Sequence, residues 1–173
     1  EALGGLHGAN RLGGCAGAET YVFGALAGEN AARHQWAENS SDKAMELADR
    51  LLAVHRPKGQ EPFGQIKALR EELQQSVARG LSIVRTDEGI RAAAGTAVKI
   101  ANLAEHTVWS TPEELAEVIA LKNMALTAQM IAAASEARKE SRGVFFRSDY
   151  PCESPESDKN LNCKLVNGEI VIK

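Results

Sequence analysis

Apolar residues recur at helical spacing through most of the chain and alternate only at its end, so the pattern predicts a mainly α-helical protein. Small residues run from about Gly14 to His34, where alanine and glycine suit close packing against a neighbouring layer. A second helix, capped by Ser40 or Ser41, carries Ala44, Leu47, Ala48, Leu51 and Leu52 at i, i+3, i+4. Pro57-Lys58-Gly59-Gln60-Glu61-Pro62 breaks that pattern. A third helix is predicted from about Phe63 to Val84, with Phe63, Ile66, Leu69, Leu73, Val77 and Leu81 on one face, and a fourth after Thr86, with Ile90, Ala93, Ala94, Ala97, Ile100 and Leu103. Thr111-Pro112-Glu113-Glu114 is a capping box with proline at the first helical position. It opens a helix to about Ser141, too apolar on several sides for a surface helix and therefore expected at the centre of a bundle. After Gly143 the chain turns extended, and Asn162 to Lys173 reads as a β-hairpin around Asn167-Gly168.

Composition narrows the function classes. The 173 residues carry a formal charge of -3, which gives no electrostatic case for nucleic acid. No unbroken apolar run approaches the roughly 20 residues of a membrane span, and no basic-then-apolar signal pattern stands at the start. Cys15, Cys152 and Cys163 form no C-x-x-C pair and have no histidine at ligand spacing, so no metal site is expected and free thiols are. Asn39-Ser40-Ser41 fits a glycosylation sequon but reads as a helix-capping loop.

The densest chemistry lies in Gly5-Leu6-His7-Gly8-Ala9-Asn10-Arg11-Leu12-Gly13-Gly14, one arginine among glycines just before a helix. Glycine lets a ligand approach the backbone, a helix start offers unpaired N–H groups and a positive dipole end, and arginine grips a carboxylate with a planar fork. Together these describe a site for a carboxylate beside another electron-rich group.

That segment, with Glu1 before it and Val22-Phe23-Gly24-Ala25-Leu26-Ala27-Gly28 after it, resembles the flavoprotein subunit of the succinate dehydrogenase and fumarate reductase family, with L-aspartate oxidase as close kin. Ala137-Arg138-Lys139-Glu140-Ser141-Arg142-Gly143 and Arg147-Ser148-Asp149-Tyr150-Pro151 match the same family in the same order. The resemblance implies a substrate-carboxylate role for Arg11 and FAD contacts at Glu1 and at the backbone of Ala16 and Gly17. The sequence departs from the family at Cys15-Ala16-Gly17, which stands where Asn-Ser-Leu is usual, so a side-chain hydroxyl is missing while backbone contacts survive. His7 is expected to be structural, and His34, His55 and His106 solvated. Arg138 and Lys139 are expected to answer the helix dipole, and Arg142 to brace the bundle against a flavin domain.

No strand leads into a G-x-G-x-x-G loop, so the dinucleotide fingerprint is absent. The resemblance therefore implies the C-terminal part of a larger flavoenzyme: 1–35 from the FAD-binding domain, 36–148 a helical bundle of three to four helices, and 149–173 an extended tail with a β-hairpin. It further implies hydride transfer at FAD between fumarate and succinate, no catalysis by this part alone, and partnership with the N-terminal FAD-binding part and an iron–sulfur subunit. The expected setting is cytoplasmic, peripheral to the membrane wherever partner subunits hold it there. Two alternatives are part of an L-aspartate oxidase and a subunit-docking bundle without catalytic role.

Overall fold

The computed structural model describes residues 13–34 and 41–173. It is mainly helical, and the chain divides into two compact units, Glu1–Leu51 and Leu52–Lys173. In the first unit, α1 (Cys15–Arg33) buries none of its residues, and Tyr21, Val22 and Leu26 are largely exposed. Helix α2 (Ser41–Val54) begins in the first unit, passes its boundary at Leu51, and leaves Met45 and Leu47 in solvent.

The second unit is built on α3 (Ile66–Gly80, entered through a single 3-10 turn at Phe63–Gln65), α4 (Asp87–His106) and α5 (Pro112–Ala137). Each presents one buried stripe at alternating three- and four-residue steps: Ile66, Leu69 and Leu73 on α3, Ile90, Ala93, Ala97, Ile100 and Ala104 on α4, and Val118, Leu121, Ala125, Ala128 and Ala132 on α5. That spacing keeps a seam facing its neighbour, and the alanines let the backbones come close. Leu73, Ile90, Ile100 and Leu121 are essentially sealed from water, and each such side chain is worth about 1.5–3 kcal/mol. The helix packed most broadly on both others is α4, not α5. Three of the five buried side chains of α4 are alanine, so it can be approached from two sides, whereas Ile131 on α5 stays exposed.

By length and mean hydropathy alone α5 would pass as a membrane span, although its window of mean hydropathy 1.3 is not an unbroken apolar run. Its buried stripe belongs to the bundle core with α3 and α4.

Helix boundaries follow local chemistry. Thr86 Oγ1 accepts the Gly89 N–H at 3.1 Å, and Thr111 Oγ1 accepts the Glu114 N–H at 3.2 Å. The Glu114 carboxylate accepts from Ser110 N at 2.7 Å and Ser110 Oγ at 2.8 Å, closing the capping box one residue earlier than its simplest form. Helix α3 stops at Gly80, short of the expected Val84, because the chain turns there into β1 (Val84–Arg85). Strand β1 pairs in parallel with β2 (Phe146–Arg147). Helix α5 likewise ends at Ala137 rather than Ser141, where Arg138 adopts an extended backbone. The hairpin forms as expected from β3 (Cys163–Val166) and β4 (Glu169–Ile172), turning at Asn167 (φ 52°) and Gly168 (φ 85°). Strand β4 lies against α5, which supplies the surface that a lone hairpin lacks.

The α3–α4 crossing depends on two glycines, since a Cβ on Gly80 would stand 2.1 Å from the Gly89 carbonyl oxygen. Gly80→Ala is therefore expected to lower stability by about 1–3 kcal/mol, as overpacking does. Gly95→Ala, on an exposed part of α4 with no atom within 4 Å of the new methyl, is expected to raise it by about 0.5–1 kcal/mol. Urea midpoints of the two variants should move in opposite directions.

Candidate functional site

Of the four residues expected to meet substrate or cofactor, Glu1 and Arg11 lie outside the described residues, as does His7. Ala16 and Gly17 are the second and third residues of α1, half-buried and exposed respectively. Helix α1 starts from Gly14, which takes the left-handed conformation at φ 85° and offers no side-chain cap. A Cβ on Gly13, Gly14 or Gly17 would meet no atom within 4 Å. Gly17 N and Ala18 N turn back to Gly14 O at 3.0 and 3.4 Å, so the amides of Cys15 and Ala16 are those left without an acceptor within the helix. No acidic residue stands in the first turn to neutralise the dipole. Thr20 Oγ1 donates to Ala16 O at 2.8 Å, occupying the nearest hydroxyl within the helix itself. Among the described residues this helix start has no side-chain cap and no first-turn acid, an arrangement that suits an anion or an electron-rich ring.

A second polar assembly lies at the C-terminal end of α5. Arg147 is fully buried and uses all five guanidinium donors. Nε and Nη2 donate to the two oxygens of Asp149 at 2.9 and 2.6 Å, Nη2 also to Asp87 at 2.5 Å, and Nη1 to the carbonyls of Ser135 at 2.9 Å and Arg138 at 3.2 Å. Asp149 in turn accepts the Asp87 N–H at 2.8 Å, at the start of α4. The hydrogen bond from Arg147 holds the Asp149 carboxyl at about 2.

Beside it Glu140, also fully buried, accepts from Arg142 Nε and Nη2, both at 3.1 Å. Arg138 Nη1 at 2.6 Å and Ser154 N at 2.9 Å complete its shell. These donors, Arg142 first, outweigh burial and bring the Glu140 carboxyl down to about 2. Arg138 continues to the carbonyls of Ser157 at 3.1 Å and Lys159 at 2.8 Å. Its work is therefore with Glu140 and the following loop, where the sequence suggested only an answer to the helix dipole. Lys139 stacks 5.2 Å over the Tyr150 ring. Arg142 is held by Glu140 within this chain.

His55 departs from the expected solvated state. It is half-buried, its carbonyl accepts the Trp109 indole N–H at 2.9 Å, and its Nδ1 lies 3.4 Å from Lys122 Nζ. Burial, then the Lys122 charge, lowers its pKa. Glu105 bridges Lys122 and Lys58, fastening 55–62 to the end of α4. Among the described residues no cluster of histidine, cysteine, aspartate or glutamate could hold a metal ion.

Residues 70–166 match the family described as fumarate reductase flavoprotein C-term, more than half of the chain. The chain belongs to that family. An uncharacterized FAD-dependent oxidoreductase of Methanocaldococcus jannaschii is 33% identical over 168 residues, covering 95% of this chain and 30% of that protein. The fumarate reductase (CoM/CoB) polypeptide of Methanothermobacter marburgensis is 30% identical over 93% of this chain and 30% of its own length, and L-aspartate oxidase of Mycobacterium tuberculosis 33% identical over 91% and 26%. Among solved structures, the FrdA chain of E. coli quinol fumarate reductase superposes with a TM-score of 0.73 at 29% identity, covering 98% of this chain and 31% of that one. The Mycobacterium smegmatis Sdh1 complex in the apo form gives 0.73 at 27% identity, with 98% and 31% coverage. The chain thus spans about 30% of the length of the first of these relatives.

The residues that the sequence reading passed over, Glu140, Asp149, Asp87 and Arg147, form the most buried polar network of the bundle. Their signal was the matched Arg138–Gly143 and Arg147–Pro151 segments, whose alternating charges pair with each other. Arg147→Ala strands Asp149 and Asp87 and is expected to cost about 3–5 kcal/mol in a urea titration. For Glu140, ordinarily near 4.5 and here about 2, the stabilisation is complete above about pH 4.5 and is lost as pH falls toward 2. The gap in urea midpoint between the wild type and Glu140→Gln should therefore be constant from pH 7 to 5 and narrow below pH 4.5.

Proposed function

We propose that this chain is the C-terminal part of an FAD-dependent oxidoreductase that interconverts fumarate and succinate, in which Arg11 binds one substrate carboxylate and the start of α1 lies against the flavin. What carries the reading is the uncapped helix start at Gly14, with its open glycine backbone and no first-turn acid, directly following the His7-Gly8-Ala9-Asn10-Arg11 segment. When bound, the flavin supplies hydride transfer. This chain's residues bind and orient. Arg11 holds a carboxylate in a two-pronged grip, which fixes the carbon skeleton at roughly the 3–3.5 Å that transfer needs. The first-turn amides of α1 and its dipole favour negative charge at the adjoining edge of the ring. Glu1 contacts the cofactor, and Ala16 and Gly17 contribute backbone alone, since neither has a hydroxyl to add. Residues 1–35 belong with the FAD-binding domain, and 36–148 and 149–173 form the bundle and its tail. The N-terminal FAD-binding part completes the flavin site, an iron–sulfur subunit exchanges electrons with it, and partner subunits set any attachment to the inner face of a membrane.

A second reading, L-aspartate oxidase, is favoured by the Mycobacterium tuberculosis enzyme, which is as similar in identity as the fumarate-reducing relatives. The same arginine would then hold an amino-dicarboxylate.

Rapid-mixing measurements on the parent flavoprotein separate the two. Fast reoxidation of reduced flavin by fumarate, with no reduction of oxidised flavin by L-aspartate, is the expected result, and the reverse pattern would assign the oxidase. Arg11→Ala in that protein is expected to lower kcat/KM for the dicarboxylate by at least about 10²-fold while flavin stays bound, the cost of a misplaced substrate. Unchanged turnover would remove Arg11 from the site. The 173-residue chain alone is expected to be helical by circular dichroism and to retain no FAD.

A further inference from the structure

Between α2 and α3 the chain crosses the end of α4 as a strap, residues 55–62, held at both ends. At its far end Glu61 N donates to His106 O at 3.1 Å and Val108 N to Glu61 O at 2.9 Å, a pairing of backbone alone. In its middle Lys58 N reaches Glu105 O at 3.3 Å, and Gly59 lies so close over His106 that a Cβ there would stand 2.7 Å from the His106 Cβ. The near end is fastened differently. The His55 carbonyl accepts the Trp109 indole N–H at 2.9 Å, and the His55 ring meets Lys122 of α5, Nδ1 to Nζ, at 3.4 Å.

A lysine ammonium has only protons to offer, so the ring contact is a hydrogen bond only while Nδ1 keeps its lone pair and the imidazole is neutral. Taking up a proton replaces the lone pair with an N–H and sets two like charges at the same short distance. Among the described residues the charges acting on the ring are Lys122 from α5 and Glu105 from α4. Glu105 is already engaged, giving Oε1 to Lys58 at 2.6 Å and Oε2 to Lys122. The other titratable group on this end of α4, His106, directs its Nδ1 to the Asn102 carbonyl at 2.7 Å. Burial, then Lys122, lowers the His55 pKa from its ordinary 6.5, so the fold favours the neutral ring. The stabilisation this gives is whole above pH 6.5 and is lost as pH falls through the lowered value.

We propose that His55 and Lys122 form a proton-operated clasp: protonation of the imidazole drives it off Lys122, and the His55 carbonyl leaves the Trp109 indole. The opening stops at Lys58, because its ammonium and its backbone N–H are both held by Glu105, and beyond it the Glu61 pairing contains no titrating group. Residues 55–57 therefore come away while the rest of the strap stays on α4. This is the stretch by which the chain leaves α2 for the bundle, so mild acid turns a fixed piece of chain into a free connection. These groups are separate from those assigned to flavin and substrate.

Acrylamide quenching of Trp109 fluorescence tests this on the 173-residue chain, in a Trp36→Phe background that leaves Trp109 as the only tryptophan. As pH falls from about 8 to about 5, Trp109 should become several-fold more accessible to acrylamide, in a one-proton transition with its midpoint below 6.5. Helical circular dichroism should not change over that range. His55→Gln, which cannot take up the charge, should hold the protected state throughout. Lys122→Gln removes the like charge and leaves Glu105 paired with Lys58, so it should raise the midpoint and shrink the gain in accessibility, which a lysine with a merely structural role would not do. Constant accessibility in the His55 protein, an opening that persists in His55→Gln, a midpoint unmoved by Lys122→Gln, or an opening that coincides with loss of helix would each overturn the proposal.

Discussion

The second unit depends on one cation being fully satisfied out of water. Arg147 sits at zero exposure, and its cost of burial is met by five donors ending on two carboxylates and two carbonyls. Those acceptors come from the start of α4, the end of α5 and the segment after β2. A single guanidinium therefore fixes the register between two helices and the loop that follows them. A hydrophobic seam alone would tolerate sliding, because alanine against alanine looks much the same one turn along α4 and α5. The planar fork does not, since each N–H must meet its own oxygen. Glu140 repeats the arrangement with the signs exchanged, one buried anion among two guanidinium groups and a backbone amide.

This explains both helix ends that the hydrophobic pattern placed too far along. Past Gly80 the letters stay apolar at Leu81, Ile83 and Val84, and past Ala137 Arg138-Lys139-Glu140-Ser141 contains no helix breaker before Gly143. The chain leaves the helix where a stronger demand begins. Residues 138–147 are needed to wrap Glu140 and to deliver Arg147, and Val84–Arg85 are needed to pair with Phe146–Arg147. Local periodicity carries no information about these partners, which lie 60 residues apart in the case of Asp87 and Arg147. Where the determinant was local, the letters sufficed: the fourth helix begins after Thr86, Thr111 caps as read, Pro112 stands at the first turn, and Asn167-Gly168 makes the hairpin turn with two positive φ angles.

The candidate site was read from the letters for a different reason, and of its residues only Ala16 and Gly17 fall among those described. A glycine run with one arginine before a helix is a local arrangement whose chemistry sits in the backbone, so its motif survives without knowledge of the fold. The helix start at Gly14 is compatible with that reading, with no atom within 4 Å of a Cβ at three glycines and no acid in the first turn. The charged lattice was legible only as a match of letters, and its roles emerged from pairing. Arg138 and Arg142 looked alike as residues near a helix end, yet both serve Glu140, because a buried carboxylate with four oxygen lone-pair directions needs more than one donor.

The two units differ in where their packing energy comes from. Helix α1 buries nothing of its own, so its packing energy is not drawn from the described residues, and its small side chains and bare N-terminus are suited to close approach by other groups. The second unit, by comparison, has its own sealed core and its own paired charges. The lattice around Arg147 and Glu140 supplies rigidity in the form that charge provides best, directional and intolerant of small displacement. On this argument the second unit keeps one arrangement because its paired charges admit no other.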